Sequence, residues 1–448
     1  MDFYLIVFLI TLTISLLLTY NHYRTSIPKD IEQNTFQRQY LIVYTLAYFS
    51  DWLKGPYIYA LYKSYGFTEH NIAILFITGF AASGLSGPFV GSLADKFGRK
   101  KLSIAYFIIY LISALCKPFT NFHILILGRI LGGIGTSLLT TTFESWMVAE
   151  HQRRKYSQEL LDDTFTKATL CNSGSAVIAG LIAQASADRF GYLAPFLIAS
   201  APLTSGLICC AKWWDNDKPN NSHSLITGFQ DGMAVMDTNI WIIGLTQSFF
   251  GGAMYTFVFL WTPALDMSKT TIPYGLVFAT FMVMISIGSG IFKRMSHRVE
   301  QIPFVIFTIA LATSVMTILT LEHEHAVFIS FLIFEVSCGI MFPTYGSLRS
   351  IYIPDEHRTT IMNIYRIPLN VFVIIILINK QFMSLKVAFG ACCLAYMGCI
   401  LLWTQFVQPV KVSDGKEYEM GKVEEDYGDL DEYELESNDS EEDLTEYS

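Results

Sequence analysis

Gly91-Ser-Leu-Ala-Asp-Lys-Phe-Gly-Arg-Lys-Lys101 lies between two long apolar runs, and its reading decides the fold. It gathers Lys96, Arg99, Lys100 and Lys101 with a single carboxylate, Asp95, and two glycines, Gly91 and Gly98. Cations at the ends of bilayer-length helices mark the cytoplasmic side, so a cytoplasmic turn is expected here. Asp95 can pair with the neighbouring cations at a helix end, and Gly91 and Gly98 allow a tight reversal.

Outward from that turn, the composition is that of a membrane protein. The chain has 448 residues, 52% of them apolar and only 15% charged, with a mean hydropathy of +0.40. Apolar segments of about 20 residues recur along it, each long enough to cross the hydrocarbon core as a helix. The expected class is an all-α polytopic membrane protein. Its eight cysteines form no C-x-x-C pair and lie in or at the ends of apolar segments, so they read as small buried hydrophobes. The histidines sit at segment ends or in loops, and no cofactor, metal site or catalytic constellation is expected.

The segments order themselves as one extra helix followed by six and six. Phe3–Tyr20 reads as an uncleaved N-terminal anchor with Met1 outside, since Asp2 precedes it and Arg24 follows it. The first six spans are expected at 40–62, 71–90, 102–117, 122–149, 164–186 and 192–213. The second six fall at 239–264, 274–292, 303–321, 326–345, 360–378 and 384–406. The resulting units are 1–35 (extra helix and linker), 36–214 (first six-helix bundle), 215–237 (central cytoplasmic loop), 238–408 (second bundle) and 409–448 (acidic tail). Fourteen Lys and Arg fall on the five loops assigned inside against six on those assigned outside, which supports this orientation. Residues 411–448 hold sixteen acidic residues against three lysines and read as a disordered, solvated tail. A mildly basic body with such a tail does not suit a nucleic-acid binder.

Charged residues inside the spans are the candidate working parts, because each is expensive in lipid. Arg129 stands in Leu125-x-x-x-Arg129-x-x-Gly132-Gly133-x-Gly135; a tie to another span and a substrate or proton role both stay open. Asp51 precedes Gly55-Pro56, a pair that should kink its helix and free carbonyls to line a cavity, with Tyr57 beside it a candidate substrate contact. Asp51 and Glu335 are the candidate proton carriers. Arg366 lies about two turns into its span, between Asn363 and Asn370 and beside Pro368. An arginine fork flanked by amides and an opened backbone suits an oxyanion, whereas an Arg–Asp lock between the halves is the competing reading. Gln247 is a polar candidate on the seventh span. Glu144, near the inner end of the fourth, suits a gate with the basic turn. Tyr427-Gly-Asp-Leu430 has the form of a sorting-adaptor signal.

The spacing of the opening stretch resembles the loop motif after the second span of the major facilitator superfamily, and the Arg129 segment resembles that superfamily's fourth-span motif. Longer phrases narrow the likeness: Asp51-Trp-Leu-Lys-Gly-Pro-Tyr-Ile-Tyr-Ala-Leu-Tyr62, Phe143-Glu-Ser-Trp-Met-Val-Ala-Glu-His151, Phe257-Val-Phe-Leu-Trp-Thr-Pro-Ala-Leu265 and Tyr365-Arg-Ile-Pro-Leu-Asn370. Together they resemble the molybdate-anion transporter family over residues 1–408, with Gly251 standing where relatives tend to carry an acidic residue. The resemblance implies two six-helix bundles and uptake of molybdate, a tetrahedral dianion, across the plasma membrane; a monomeric working unit is expected. Moving that dianion against an inside-negative potential costs about 4.6 kcal/mol per 100 mV, so proton symport is the expected coupling. Arg366 is then the first-choice anion receptor and Arg129 the second. The alternatives are a facilitator for another anion, such as sulfate or an organic anion, and a non-transporting membrane receptor or scaffold.

Overall fold

The turn expected at 94–101 contracts to a single residue in the computed structural model. The structure describes residues 3–19, 30–216, 233–266, 272–295, 305, 308–309, 311–312, 324–354, 358–379 and 383–405. The central loop, most of the expected ninth span and the tail with its Tyr427 signal lie outside these. So do the side chains of Asp95 and Asn363 and the surroundings of Gly91.

Helices account for nearly all of the described chain. They are α1 (Phe3–Thr19), α2 (Ile31–Trp52), α3 (Ile58–Ser64), α4 (Glu69–Phe97), α5 (Arg99–Leu115), α6 (Phe122–Arg153) and α7 (Gln158–Phe190). After these come α8 (Ala194–Ile198), α9 (Ser200–Trp213), α10 (Thr238–Leu265), α11 (Tyr274–Met295), α12 (Glu324–Tyr352), α13 (Arg358–Ile378) and α14 (Leu385–Thr404). The loops supply oxygen-bearing caps. Thr68, Asn121, Ser157, Asp237 and Ser384 each accept a backbone N–H from the first turn of the helix they precede.

Gly98 alone separates α4 from α5. Its φ of 96° lies where a side chain would be strained, and its N–H closes α4 onto Ala94 O at 2.9 Å. Gly91 sits inside α4, so the reversal uses one glycine and not two. The kink expected at Gly55-Pro56 is present. The first span breaks after Trp52, passes through a 3₁₀ turn at Gly55–Tyr57 and resumes as α3.

Eight of the described helices are long and apolar enough to cross a membrane. The shortfall against thirteen expected spans has local causes. The break divides the first span, α1 and α5 have 17 residues each, the apolar part of α13 is short, and most of the ninth span lies outside the described residues. The surface is inverted relative to a water-soluble protein: Leu85 is 73% exposed, Phe190 76% and Leu394 70%. Such apolar exposure is satisfied by lipid.

Helices of 31–213 pack chiefly on one another through α4–α6, α5–α6, α2–α7, α2–α9 and α5–α9, and those of 238–404 through α11–α12, α10–α13, α10–α14 and α10–α12. Two broad seams join the sets, α7 on α11 and α4 on α13. α1 lies on α11, with Phe8 among Ala279, Val283 and Ile287. In the first set, Trp146 stacks on Trp214 at 3.9 Å, with Phe143 edge-on to the same ring.

Candidate functional site

Both seams bring polar groups to the interior, and they differ in kind. At the end of the bundle remote from Gly98, the seam is a seal. Lys63 pairs with Asp266, which also accepts from Tyr274 Oη at 3.2 Å. Gln184 Oε1 accepts from Tyr57 Oη at 2.9 Å and from the Gly275 N–H at 2.8 Å, so one side chain bridges the two sets. Tyr57 also stacks near Tyr192 and Tyr274 and is 1% exposed. It is thus part of a closure, not of an open cavity. Behind it, Phe259 packs on Phe76 and Tyr59, and Phe80 stacks on Tyr255.

Toward the Gly98 end, α13 lays Arg366 and Asn370 across glycines of α4. A methyl group at Gly87 would stand 2.9 Å from Arg366 Nη1 and 3.8 Å from Ser137 Oγ. One at Gly84 would stand 2.7 Å from Asn370 Nδ2. The absence of side chains at these positions therefore lets a guanidinium and an amide reach the first set of helices. Hydroxyls lie on the same stretch of the first set: Ser83 and Ser86 Oγ each lie 3.1 Å from Ser137 Oγ, which donates to Ser83 O at 2.8 Å. Asn370 Nδ2 donates to Arg366 O at 2.7 Å, which fixes the amide beside the arginine. Among the described residues no carboxylate pairs with Arg366. The Arg–Asp lock with Asp51 is therefore not formed. Pro368 lies inside α13, one turn from this contact.

Asp51 is placed elsewhere. Its Oδ1 accepts from Tyr110 Oη at 2.6 Å and lies 3.8 Å from Lys54 Nζ. Arg129 Nε donates to Leu75 O at 2.9 Å, and the guanidinium lies 4.8 Å from the Phe76 ring centre. A methyl at Gly79 would meet its Nη2 at 2.5 Å, so this glycine too makes room for an arginine. Gln247 Oε1 accepts from Arg349 Nη1 at 2.8 Å. Glu144 is exposed and within electrostatic reach of Tyr40, Tyr44 and Tyr48 in its own set and of Arg349, on α12, in the other. Glu335 is 4% exposed on α12 and has no ion pair among the described residues. Arg99 and Lys100 begin α5, half-buried.

Several of these participants escaped the sequence reading. Ser83-Gly-Leu-Ser-Gly87 repeats a Ser-Gly pair at a spacing of three, which places both hydroxyls and both gaps on one helical face, and that was the available signal. Lys54 stood inside a quoted phrase beside Asp51. Arg349 and Gln184 carried no local signal, because their partners are remote in sequence. No group of His, Cys, Asp and Glu among the described residues could hold a metal ion.

Known proteins resemble this one in sequence and in fold. A family model described as sugar transporters with 12 transmembrane segments matches residues 2–334. A molybdate-anion transporter of Takifugu rubripes is 35% identical over 376 residues, covering 75% of this chain and 77% of that protein. Its counterpart in Xenopus tropicalis is 33% identical over 350 residues, with 75% and 76% covered. Among solved structures, a point mutant of the nucleoside transporter NupG matches with a TM-score of 0.67 at 10% identity, covering 83% of this chain and all of that one. At that identity the likeness is one of fold alone.

Proposed function

The chain belongs to the molybdate-anion transporter family, with a fold of the major facilitator type, and from that premise we propose that it carries molybdate into the cell by alternating access. The observation that bears most weight is Arg366 reaching across the α4–α13 seam to Gly87, on the α4 face that carries Ser83 and Ser86, with no carboxylate partner among the described residues. A guanidinium offers its N–H donors in a planar fork to two oxygens of a tetrahedral anion, and serine hydroxyls can turn to reach the others. The contributors lie on both sets of helices, so an anion held there would feel any relative movement of the two. A neutral sugar would leave the cation unmatched, which favours an anion over the description attached to the family model.

In this reading the Gly98 end faces the cytoplasm, the Lys63–Asp266 seal is the outer closure, and the conformation is sealed outside. Asn370 and Asn363 flank the anion, and Gln247 holds Arg349 near the inner mouth with Glu144 opposite. Gly98, with Arg99 and Lys100, carries the turn about which the first set pivots, and Gly91 and Asp95 belong to the same element. Asp51 and Glu335 carry the coupling protons. Arg129 serves as the second anion contact. The membrane is the plasma membrane, the working unit is one chain, and the tail signal addresses sorting adaptors.

Uptake of molybdate into proteoliposomes under imposed pH gradients tests this. An inward proton gradient should accelerate uptake several-fold, and Arg366→Ala should abolish it at matched protein content. Uptake indifferent to the gradient would end the symport reading. Full uptake by Arg366→Ala would end the assignment of the anion to the α4–α13 seam.

A further inference from the structure

The first set of helices buries a second group of cations that the α4–α13 seam does not use. Lys117, at the end of α5, is 3% exposed, and its Nζ donates to Tyr62 Oη at 2.8 Å. Lys54, in the break of the first span, has a side chain 13% exposed, with Nζ 3.3 Å from the Tyr110 ring centre. α5 and α6 meet where these groups lie, since a methyl at Gly128, next to Arg129, would stand 2.8 Å from Cys116 Cβ, next to Lys117; Arg129 is thereby within electrostatic range of both lysines and of Tyr62 and Tyr110. The carboxylate facing this group is Asp51, already held by Tyr110. With both lysines protonated, three cations against one carboxylate leave an excess of two positive charges among the described residues.

Such an excess inside a membrane protein is unfavourable unless something negative joins it, because desolvated like charges repel with little screening. Aromatic faces and phenol oxygens soften the cost for each ammonium and do not neutralise it. Spare donors are also present. Arg129 commits Nε to Leu75 O, and no partner among the described residues takes its remaining N–H groups. Tetrahedral dianions carry the complementary charge of −2. Position along the bundle adds direction. Arg129 lies within two turns of the start of α6 at the Lys63 end, whereas Arg366 lies about two turns from the start of α13 at the opposite end.

The geometry points to a second anion site formed by Lys54, Lys117 and Arg129, a station that receives the transported oxyanion before it reaches Arg366. This rests on the proposed function for the identity of the anion. The station is formed within the first set of helices, so it persists while the two sets separate. Asp51 limits its charge to +2, which suits a dianion.

Counting bound molybdate on the full chain in lipid nanodiscs, by equilibrium dialysis with gluconate as the other anion, tests the inference. Wild type should bind two molybdate ions per chain. Lys54→Met with Lys117→Met, which keeps an unbranched apolar stem and removes the ammonium, should bind one, and adding Arg366→Ala to that pair should leave none. Tyr62→Phe should weaken one of the two sites roughly tenfold while unfolding at the wild-type temperature, and it carries the test should the double methionine variant fail to fold. Two full-strength ions in the double methionine variant, or no weakening in Tyr62→Phe, would overturn the proposal. So would one ion in wild type together with radiolabelled chloride retained by wild type and lost by the double variant, since the cations would then hold a resident chloride. If Arg366→Ala alone still binds two, the station stands and the reading of the α4–α13 seam falls.

Discussion

A single methyl group at residue 87 should separate anion affinity from fold. In Gly87→Ala the new carbon would stand 2.9 Å from Arg366 Nη1 and 3.8 Å from Ser137 Oγ. Ordinary carbon–nitrogen contact requires more room, so the guanidinium must retreat by roughly half an ångström or more. It then loses one well-aligned, charge-assisted hydrogen bond to the anion, worth about 1.5–3 kcal/mol. At 1.4 kcal/mol per decade, that is roughly a 10–150-fold rise in apparent KM. The helix itself gains, since alanine is favoured over glycine by about 1 kcal/mol in a helix interior. Gly174→Ala is the matched control, because a methyl there meets nothing within 4 Å. Initial rates of molybdate uptake, measured across concentration at equal surface expression, decide the matter. If Gly87→Ala and Gly174→Ala are indistinguishable from each other, the anion does not contact this seam and the argument from Arg366 fails.

Arg366→Lys keeps the charge and loses the fork, so it should transport with a raised KM that Arg366→Ala cannot match at any concentration, measured by the same uptake assay. The exposed Lys63–Asp266 pair should add no more than about 1 kcal/mol to thermal stability; yet Lys63→Ala should raise labelling of cysteines introduced behind the seal, and unchanged labelling would remove the pair from the closure. Trp214→Ala, which strips a 2%-exposed ring from between Trp146 and Phe143, should lower unfolding stability by about 3–5 kcal/mol without changing KM in the protein that remains folded. Deleting 411–448 should leave flux per surface molecule intact and alter only how many molecules reach the surface.

How much of this was legible beforehand follows from the range of the forces involved. Turns and spans are written locally: Gly98 beside its cations, Gly55-Pro56, and cap residues such as Thr68 and Asn121 each act within a few residues of themselves. Arg366 was legible as a charged group inside a span, which lipid makes conspicuous wherever it lies. What it touches was not legible, because Gly84, Gly87 and Ser137 come from helices far away in sequence and leave only a spacing pattern. Gly91 was misread for the opposite reason: a glycine near a turn resembles a turn residue until the helix is seen to run through it. Lys54 and Lys117 were passed over because lysines close to a span end ordinarily reach the interface, and only the packing of Tyr62 and Tyr110 shows these two held inward.

α1 has a consequence of its own. It is threaded to α2 and so to the first set of helices, yet it rests on α11 of the second, with Ser15 Oγ 3.3 Å from Ser286 Oγ and Arg294 Nη2 donating to Leu18 O at 3.3 Å. The chain between α1 and α2 can therefore span at most about 40 Å, at roughly 3.5 Å per residue. Under the alternating access proposed above, α1 would be a passenger that rests on the second set while joined in sequence to the first, and the length of the joining chain would cap how far the two could part before the contact with α11 must break.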